Sequence, residues 1–375
     1  MATETAGSVE GSERGPIGRL RSALEGPNAV GESRTFWVGF VLVAGVFAAY
    51  PFLFGAFGSV QFALYFAYVF LGLSLSLVWG YGGILSFGQV AFFGVAGYVF
   101  GIVTLNVASP LGITAGLLGG VLAGALGAFL LGYFMFYGGV TDVYVTIITL
   151  VTAMVLHTFM GQTAGSEWSI GAAALGGFNG MPGIPQLSLG VGETAITFSG
   201  SWFYWLLFGL VLVTYLGLRA FVNSDFGRVA VAIREDEDRT RMFGYDVKRV
   251  KLVMFTIGGG LAGLGGVMFT VWGSYIDPSV FSLSFAALPV VWVSVGGRES
   301  LLGAIVGTVA VSYLNEWLSV NAADFALIII GALLLGVIMF LPDGAIPRIE
   351  AFLDRHWPRP GSSSSTTEPA REANP

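Results

Sequence analysis

The chain has 375 residues, of which 55% are hydrophobic and 11% charged, with a formal net charge of −6, whereas soluble domains carry about 25% charge. So much apolar sequence exceeds what a water-soluble core absorbs. The lack of cysteine excludes disulfides, thiolate metal sites and cysteine nucleophiles, and without a basic stripe outside one short loop the composition argues against a nucleic-acid partner.

Residues 1–35 are polar and rich in Gly, Ser and Glu. They lack an apolar stretch ahead of a small-residue cleavage site and read as a non-cleaved cytoplasmic tail. From residue 36 to 345 the chain reads as one membrane domain, because apolar stretches of about the 20 residues that cross a bilayer recur throughout. Ten spans are expected, near 36–57, 60–79, 84–106, 112–136, 143–162, 202–221, 250–272, 279–296, 300–318 and 323–342. The fold class is therefore an all-α polytopic integral membrane protein. No lysine or arginine occurs between Thr35 and Leu218, and the acids there are Asp142, Glu167 and Glu193.

Basic residues set the orientation, since short cytoplasmic loops retain Lys and Arg. The largest cluster, Arg228, Arg234, Arg239, Arg241, Lys248, Arg249 and Lys251, lies in the loop 222–249 and the first residues after it, whereas the loop 161–201 has none. The first loop is expected inside and the second outside. Ten spans then place both termini in the cytoplasm, with the tail 346–375, whose end reads as disordered, carrying Arg348, Arg355 and Arg359. Pro289 interrupts the eighth segment. That segment is read as a full span, the alternative being a re-entrant loop that would move the C-terminus outside. The 56 glycines concentrate within the spans, notably at 116–132 and 258–266. They suit close helix packing, or else breaks in helices that line a path.

The loop reads Asp225-Phe226-Gly227-Arg228 … Ile233-Arg234-Glu235-Asp236-Glu237-Asp238 … Met242-Phe243-Gly244, a short charged helix with Gly244 as its stop. It resembles the cytoplasmic coupling loop of ABC importer permeases of the LivM-like branch, whose members transport branched-chain amino acids or urea. A second similar segment is Gly80-Tyr81-Gly82-Gly83-Ile84-Leu85-Ser86-Phe87-Gly88-Gln89. Asp142–Leu150 and Asn179-Gly180-Met181-Pro182-Gly183-Ile184-Pro185 also fit, so the resemblance covers about 36–345. It implies a non-catalytic transport subunit in the cell membrane. Its implied partners are a second homologous permease, cytoplasmic ATPase subunits and an extracytoplasmic solute-binding protein, with membrane lipid around it.

In that reading Arg228, Arg234, Glu235, Asp236, Glu237, Asp238, Phe243 and Gly244 couple the spans to the ATPase. Ser86, Gln89, Thr149 and Asn179 are the pathway candidates. ATP hydrolysis falls to a separate subunit, since no Gly-x-x-x-x-Gly-Lys-[Ser/Thr] loop occurs. The two histidines, His157 and His356, support no metal centre, and no cofactor is expected.

The segments Ile276–Ser282, Val291–Arg298 and Phe340–Gly344 favour urea or a similar small polar solute, whereas Asn179–Pro185 favours a branched-chain amino acid. An alternative of another class, a stand-alone channel or secondary transporter, would want intramembrane acids. Glu316, beside Trp317 near a span end, reads as interfacial.

Overall fold

The computed structural model describes Leu24 and residues 34–190, 194–340, 344, 345 and 348. The expected tails, 1–35 and 346–375, lie almost wholly outside these described residues.

Helix α1 (Arg34–Leu75) reverses direction at Gly55, whose φ of 68° and ψ of −167° suit a residue without a Cβ. The Phe47 and Phe66 rings stand 5.6 Å apart, where a straight helix would separate these residues by about 28 Å. The two arms thus form a helical hairpin, matching the first two expected segments. The second arm ends in a π turn, Ser76–Tyr81.

There follow α2 (Gln89–Asn106), α3 (Pro110–Tyr137), α4 (Asp142–Gly161), α5 (Ser201–Asn223), the short α6 (Asp225–Glu235) and α7 (Glu237–Met242), α8 (Val247–Gly273), α9 (Leu283–Gly296), α10 (Leu301–Asn321) and α11 (Ala326–Phe340). Among the described residues seven helices, α1 counted once, are long and apolar enough to cross a membrane, and two apolar stretches, Leu283–Gly296 and Ile328–Val337, are shorter.

Three ribbons of two-residue strands gather at one end of the bundle: β1 (Ser169–Ile170) with β2 (Ala173–Ala174), β4 (Ser188–Leu189) with β5 (Ile196–Thr197), and β3 (Met181–Pro182) with β6 (Tyr275–Ile276), all antiparallel. This is the looped end; the opposite, charged end carries α6, α7 and the α9–α10 turn.

Two stretches follow one plan in opposite directions. The second arm of α1 runs to the charged end and finishes at Trp79-Gly80; α8 runs to the looped end and finishes at Trp272-Gly273. After each comes a stretch without α-helix, 82–88 and 274–282, and then a helix that starts inside the bundle, α2 and α9. Two expectations are corrected here. The third span, expected from 84, is helical only from Gln89, and the eighth, expected from 279, begins as a 3-10 turn (Pro278–Phe281) and is α-helical only from Leu283, with Pro289 inside.

Packing follows from small residues and rings. A Cβ on Gly259 of α8 would fall 2.2 Å from the Ala128 Cβ of α3, and one on Gly266 would fall 1.9 Å from the Phe93 carbonyl of α2. Without a hydrophobic drive between helices in lipid, such close backbone approach supplies the contact. Above it, Tyr68, Phe93, Phe269, Phe285 and Trp292 join α1, α2, α8 and α9 in one aromatic box, with centroids 5.3–5.9 Å apart along its edges.

Gly266→Val is expected to lower the unfolding free energy by about 1–3 kcal/mol or more through overpacking. Gly119→Val, where an added Cβ meets nothing within 4 Å, is expected to change it little. Thermal unfolding of the two purified variants checks the contrast, and equal midpoints would refute it.

Candidate functional site

The break at 82–88 follows from its sequence. Gly82, Gly83 and Gly88 hold no helix, and Gly83 adopts φ 72°. The Gly82, Gly83 and Ile84 amides turn back onto the carbonyls of Leu77, Trp79 and Val78 at 3.0–3.2 Å. Beyond them, the Leu85 carbonyl accepts from Thr146 Oγ1 (2.9 Å) and the Gly88 amide donates to Ser86 Oγ (3.1 Å). Exposed backbone is untenable at this depth, so side chains of α4 and of the segment itself complete its hydrogen bonds.

Ser86, Gln89 and Thr149 converge on this break, all at most 1% exposed. A Cβ on Gly88 would lie 2.8 Å from that of Thr149. Ser74 Oγ lies 2.8 Å from Gln89 Oε1 and 2.7 Å from the Gly258 carbonyl, and its single proton serves one of the two at a time. Gln89 Nε2 is left without a hydrogen-bond partner, as are Tyr98 Oη further along α2 and Trp292 Nε1 on α9. Each is a buried donor, and such groups normally find an acceptor.

The charged loop docks on the same break. Arg234, 19% exposed at its side chain, donates from Nη1 to the Gly80 carbonyl (2.5 Å) and pairs with Glu299 (3.2 Å) at the α9–α10 turn and with Glu235 (2.5 Å). Its stem packs on Gly83, where a Cβ would fall 3.0 Å from Arg234 Cγ. One guanidinium thus bridges the start of the first break and the turn after α9.

The loop itself is two helices rather than the single one expected. Asp236, extended at φ −158° and ψ 98°, separates α6 from α7 and caps α7 by accepting from the Arg239 amide. Ion pairs Arg228–Asp225, Arg241–Glu237 and Arg241–Asp238 brace the helices, and Glu237 reaches Lys251 of α8 at 2.6 Å. Gly244 follows the last turn at φ 89°, the left-handed position a helix stop prefers. Met242 and Phe243 project into the open, 86% and 75% exposed.

Asn179 does not join the other pathway candidates. It lies exposed at the looped end, where its carbonyl accepts from Tyr275 Oη (2.9 Å). The Tyr275 phenol is raised above its ordinary pKa, first by desolvation and then by Asp277, so it stays a donor at neutral pH. Nearby, His157 Nδ1 donates to the Pro278 carbonyl (2.8 Å) in the second break. Glu316 accepts from Gln61 Nε2 (2.6 Å) and from Tyr65 Oη, joining α10 to α1. Among the described residues no three His, Asp or Glu gather to hold a metal.

Ser74, Tyr98 and Trp292 were not singled out from sequence. A serine, a tyrosine and a tryptophan within apolar runs look like ordinary span residues until the fold shows what faces them.

A family described as branched-chain amino acid transport system / permease component matches residues 59–338, or 280 of the 375 residues. The chain belongs to this family. Among relatives, the high-affinity branched-chain amino acid transport system permease protein LivM of Escherichia coli is 26% identical over 337 residues, covering 84% of this chain and 75% of that protein. The Salmonella typhimurium LivM is 26% identical over 320 residues, covering 80% and 72%. The ribose import permease RbsC of Haemophilus influenzae is 26% identical over 102 residues, covering 26% and 32%. No solved structure matches.

This permease is accordingly a multi-pass membrane transport subunit and not an enzyme. The family match includes both breaks and the whole charged loop, and begins four residues after the Gly55 reversal.

Gln89→Leu removes a buried unpartnered amide, a group whose burial costs about 1–3 kcal/mol, while Ser74 keeps its bond to Gly258. The melting midpoint of the purified variant is expected to stay level or rise. A marked fall would show that the amide holds the break together.

Proposed function

We propose that this permease is the membrane-spanning subunit of an ATP-driven importer for branched-chain amino acids. Its LivM relatives are named for that solute class, and the interior chemistry agrees. The observation that carries the choice is the set of partnerless donors Gln89 Nε2, Tyr98 Oη and Trp292 Nε1 on α2 and α9, the two helices that also bring Phe93 and Phe285 to the aromatic box. Donors suit a carboxylate, and the rings suit a branched apolar side chain; urea would use the first and waste the second.

The urea-type reading rests on Ile276–Ser282, on Val291–Arg298 and on Phe340–Gly344. Arg298 points away from the interior: its carbonyl accepts from Ser76 Oγ and its half-exposed guanidinium pairs with Glu299 at the charged end. It therefore carries no information about the solute. Residues 341–343 lie outside the described residues.

In this reading the chain crosses the bilayer ten times. The two arms of α1 count separately, and α9 with its 3-10 lead-in completes the eighth crossing. The charged end faces the cytoplasm by the positive-inside rule, and both termini fall on that side. ATPase subunits dock at the exposed Met242 and Phe243, a second permease and a solute-binding protein complete the importer, and Ser86, Gln89 and Thr149 line the polar stretch of the path. Closure of the ATPases displaces α7, and α6 follows through the Asp236 joint. Arg234 passes that displacement to Gly80 and Glu299 together, so the break and the α9–α10 turn shift in step between two discrete arrangements.

Nucleotide-dependent uptake by vesicles holding the complete importer tests the proposal. Leucine uptake that excess urea does not compete is expected; uptake of urea alone, or uptake by this chain without ATPase subunits, would overturn it. Arg234→Gln and Asp238→Arg are expected to cut leucine uptake at least about tenfold, the effect of losing roughly 1.4 kcal/mol of coupling, with membrane insertion retained. At Gly244 no atom lies within 4 Å of an added Cβ, so only backbone strain discriminates. Gly244→Val is expected to impair uptake, and Gly244→Asn, which tolerates the left-handed region, to preserve most of it.

A further inference from the structure

Arg219, four residues before the end of α5, is the first lysine or arginine after Arg34, and it takes no part in the coupling contacts of Arg234. It is 1% exposed, although burying a guanidinium is costly unless acceptors meet it, and a buried cation near a span end marks a functional contact by default. Its Nη1 donates to Tyr215 Oη one turn earlier (3.2 Å), and its Cζ lies 5.4 Å from the centre of the Trp37 ring on the first arm of α1. Tyr215 in turn stacks on Phe40 of the same arm, with centroids 5.2 Å apart. These contacts fix the guanidinium at the charged end, between α5 and the start of α1.

The Nε of Arg219 has an acceptor that belongs to neither helix. It donates to the Leu24 carbonyl at 2.5 Å, and Asn223 Nδ2, one turn further along α5, reaches the same oxygen at 3.4 Å. Leu24 stands ten residues ahead of Arg34, where α1 begins. Two buried side chains on one face of α5 thus close on a single backbone oxygen and pin the chain ahead of α1 across the end of α5.

That end is the root of the charged loop. Ser224, between α5 and α6, donates from Oγ to the Phe221 carbonyl (2.6 Å) and accepts from the Gly227 amide (3.3 Å). The corner is tight: a Cβ on Gly227 would fall 2.1 Å from the Val222 carbonyl, and the Phe221 and Phe226 rings meet across it at 5.5 Å. Helix α6 therefore has one end locked to α5 and the other, which carries Arg234, at the Asp236 joint.

We propose that Arg219 and Asn223 clamp the N-terminal segment at Leu24 over the α5–α6 corner, and that this clamp holds the fixed end about which α6 swings when the ATPases close. The swing rests on the importer reading; the clamp does not. Without the clamp the corner yields, and displacement of α7 is absorbed there before it reaches Gly80 and Glu299.

The cysteine-free sequence lets a single thiol report on the clamp. Leu24→Cys labelled with bimane in the purified full-length chain is expected to be quenched by the Trp37 indole, because Arg219 holds both. Trp37→Phe is expected to restore the emission, and Arg219→Gln to restore it with the indole still present. Emission indifferent to Trp37→Phe, a comparison that leaves Arg219 and its fold untouched, would overturn the clamp, as would quenching that survives Arg219→Gln. In vesicles holding the complete importer, deletion of residues 2–30 is expected to lower the solute taken up per ATP hydrolysed about fivefold, the low end of typical coupling between sites, while hydrolysis continues. An unchanged ratio would overturn the pivot. Failure of the unaltered importer to carry leucine would count against the importer reading alone, because the bimane signal needs neither solute nor nucleotide.

Discussion

The governing constraint in this molecule is that a backbone amide or carbonyl away from water must be paired within the protein. A continuous helix meets it automatically; the breaks at 82–88 and 274–282 do not. Their amides and carbonyls are met one at a time by what lies nearby: the π turn before Gly82, Thr146 across from Leu85, and Ser86 under Gly88. In the second break Asp277 accepts from the Ser279 amide, Ser282 from that of Phe285, and β6 pairs with β3. Several of the polar side chains in the apolar interior are where they are because the backbone there is irregular. The irregularity in turn is what lets polar groups gather inside the apolar bundle.

Close packing is the second condition, and it shapes how such a bundle can move. Gly259 and Gly266 bring α8 against α3 and α2 at backbone distance, so these helices shift together or not at all. The aromatic box fills the space where the two breaks leave the helices apart. Rigid blocks joined at two irregular segments deform at those segments, and Arg234 makes contact at the first of them.

Much of this was legible in the sequence, because the membrane imposes simple statistics. Recurring apolar segments outlined a polytopic helical bundle, and the glycines around Ser86 pointed to unusual backbone at the right place. Hydropathy could not show that α2 starts at Gln89 rather than near 84, since an apolar residue in an extended buried segment reads like one in a helix. Asn179 was grouped with Ser86, Gln89 and Thr149 although the chain carries it to the other end of the bundle. Tyr98 and Trp292 gave no signal, because a missing hydrogen-bond partner is a property of the neighbours. The Asp236 joint was hidden too: a charged run of helix formers looks continuous until one residue leaves the helix to cap the next.

The opposed arrangement of the two helix-break-helix units has a consequence for energetics. When two similar halves run in opposite senses, exchanging their conformations produces a second shape that faces the other way while using much the same contacts. In the proposed importer, two shapes of that kind lie close in energy, and neither end of the bundle is favoured by the bundle alone. Moving such a balance from 1:99 to 99:1 takes about 5.5 kcal/mol of differential binding, within reach of a nucleotide-driven partner. In the proposed importer, directionality then belongs to what docks on the charged end.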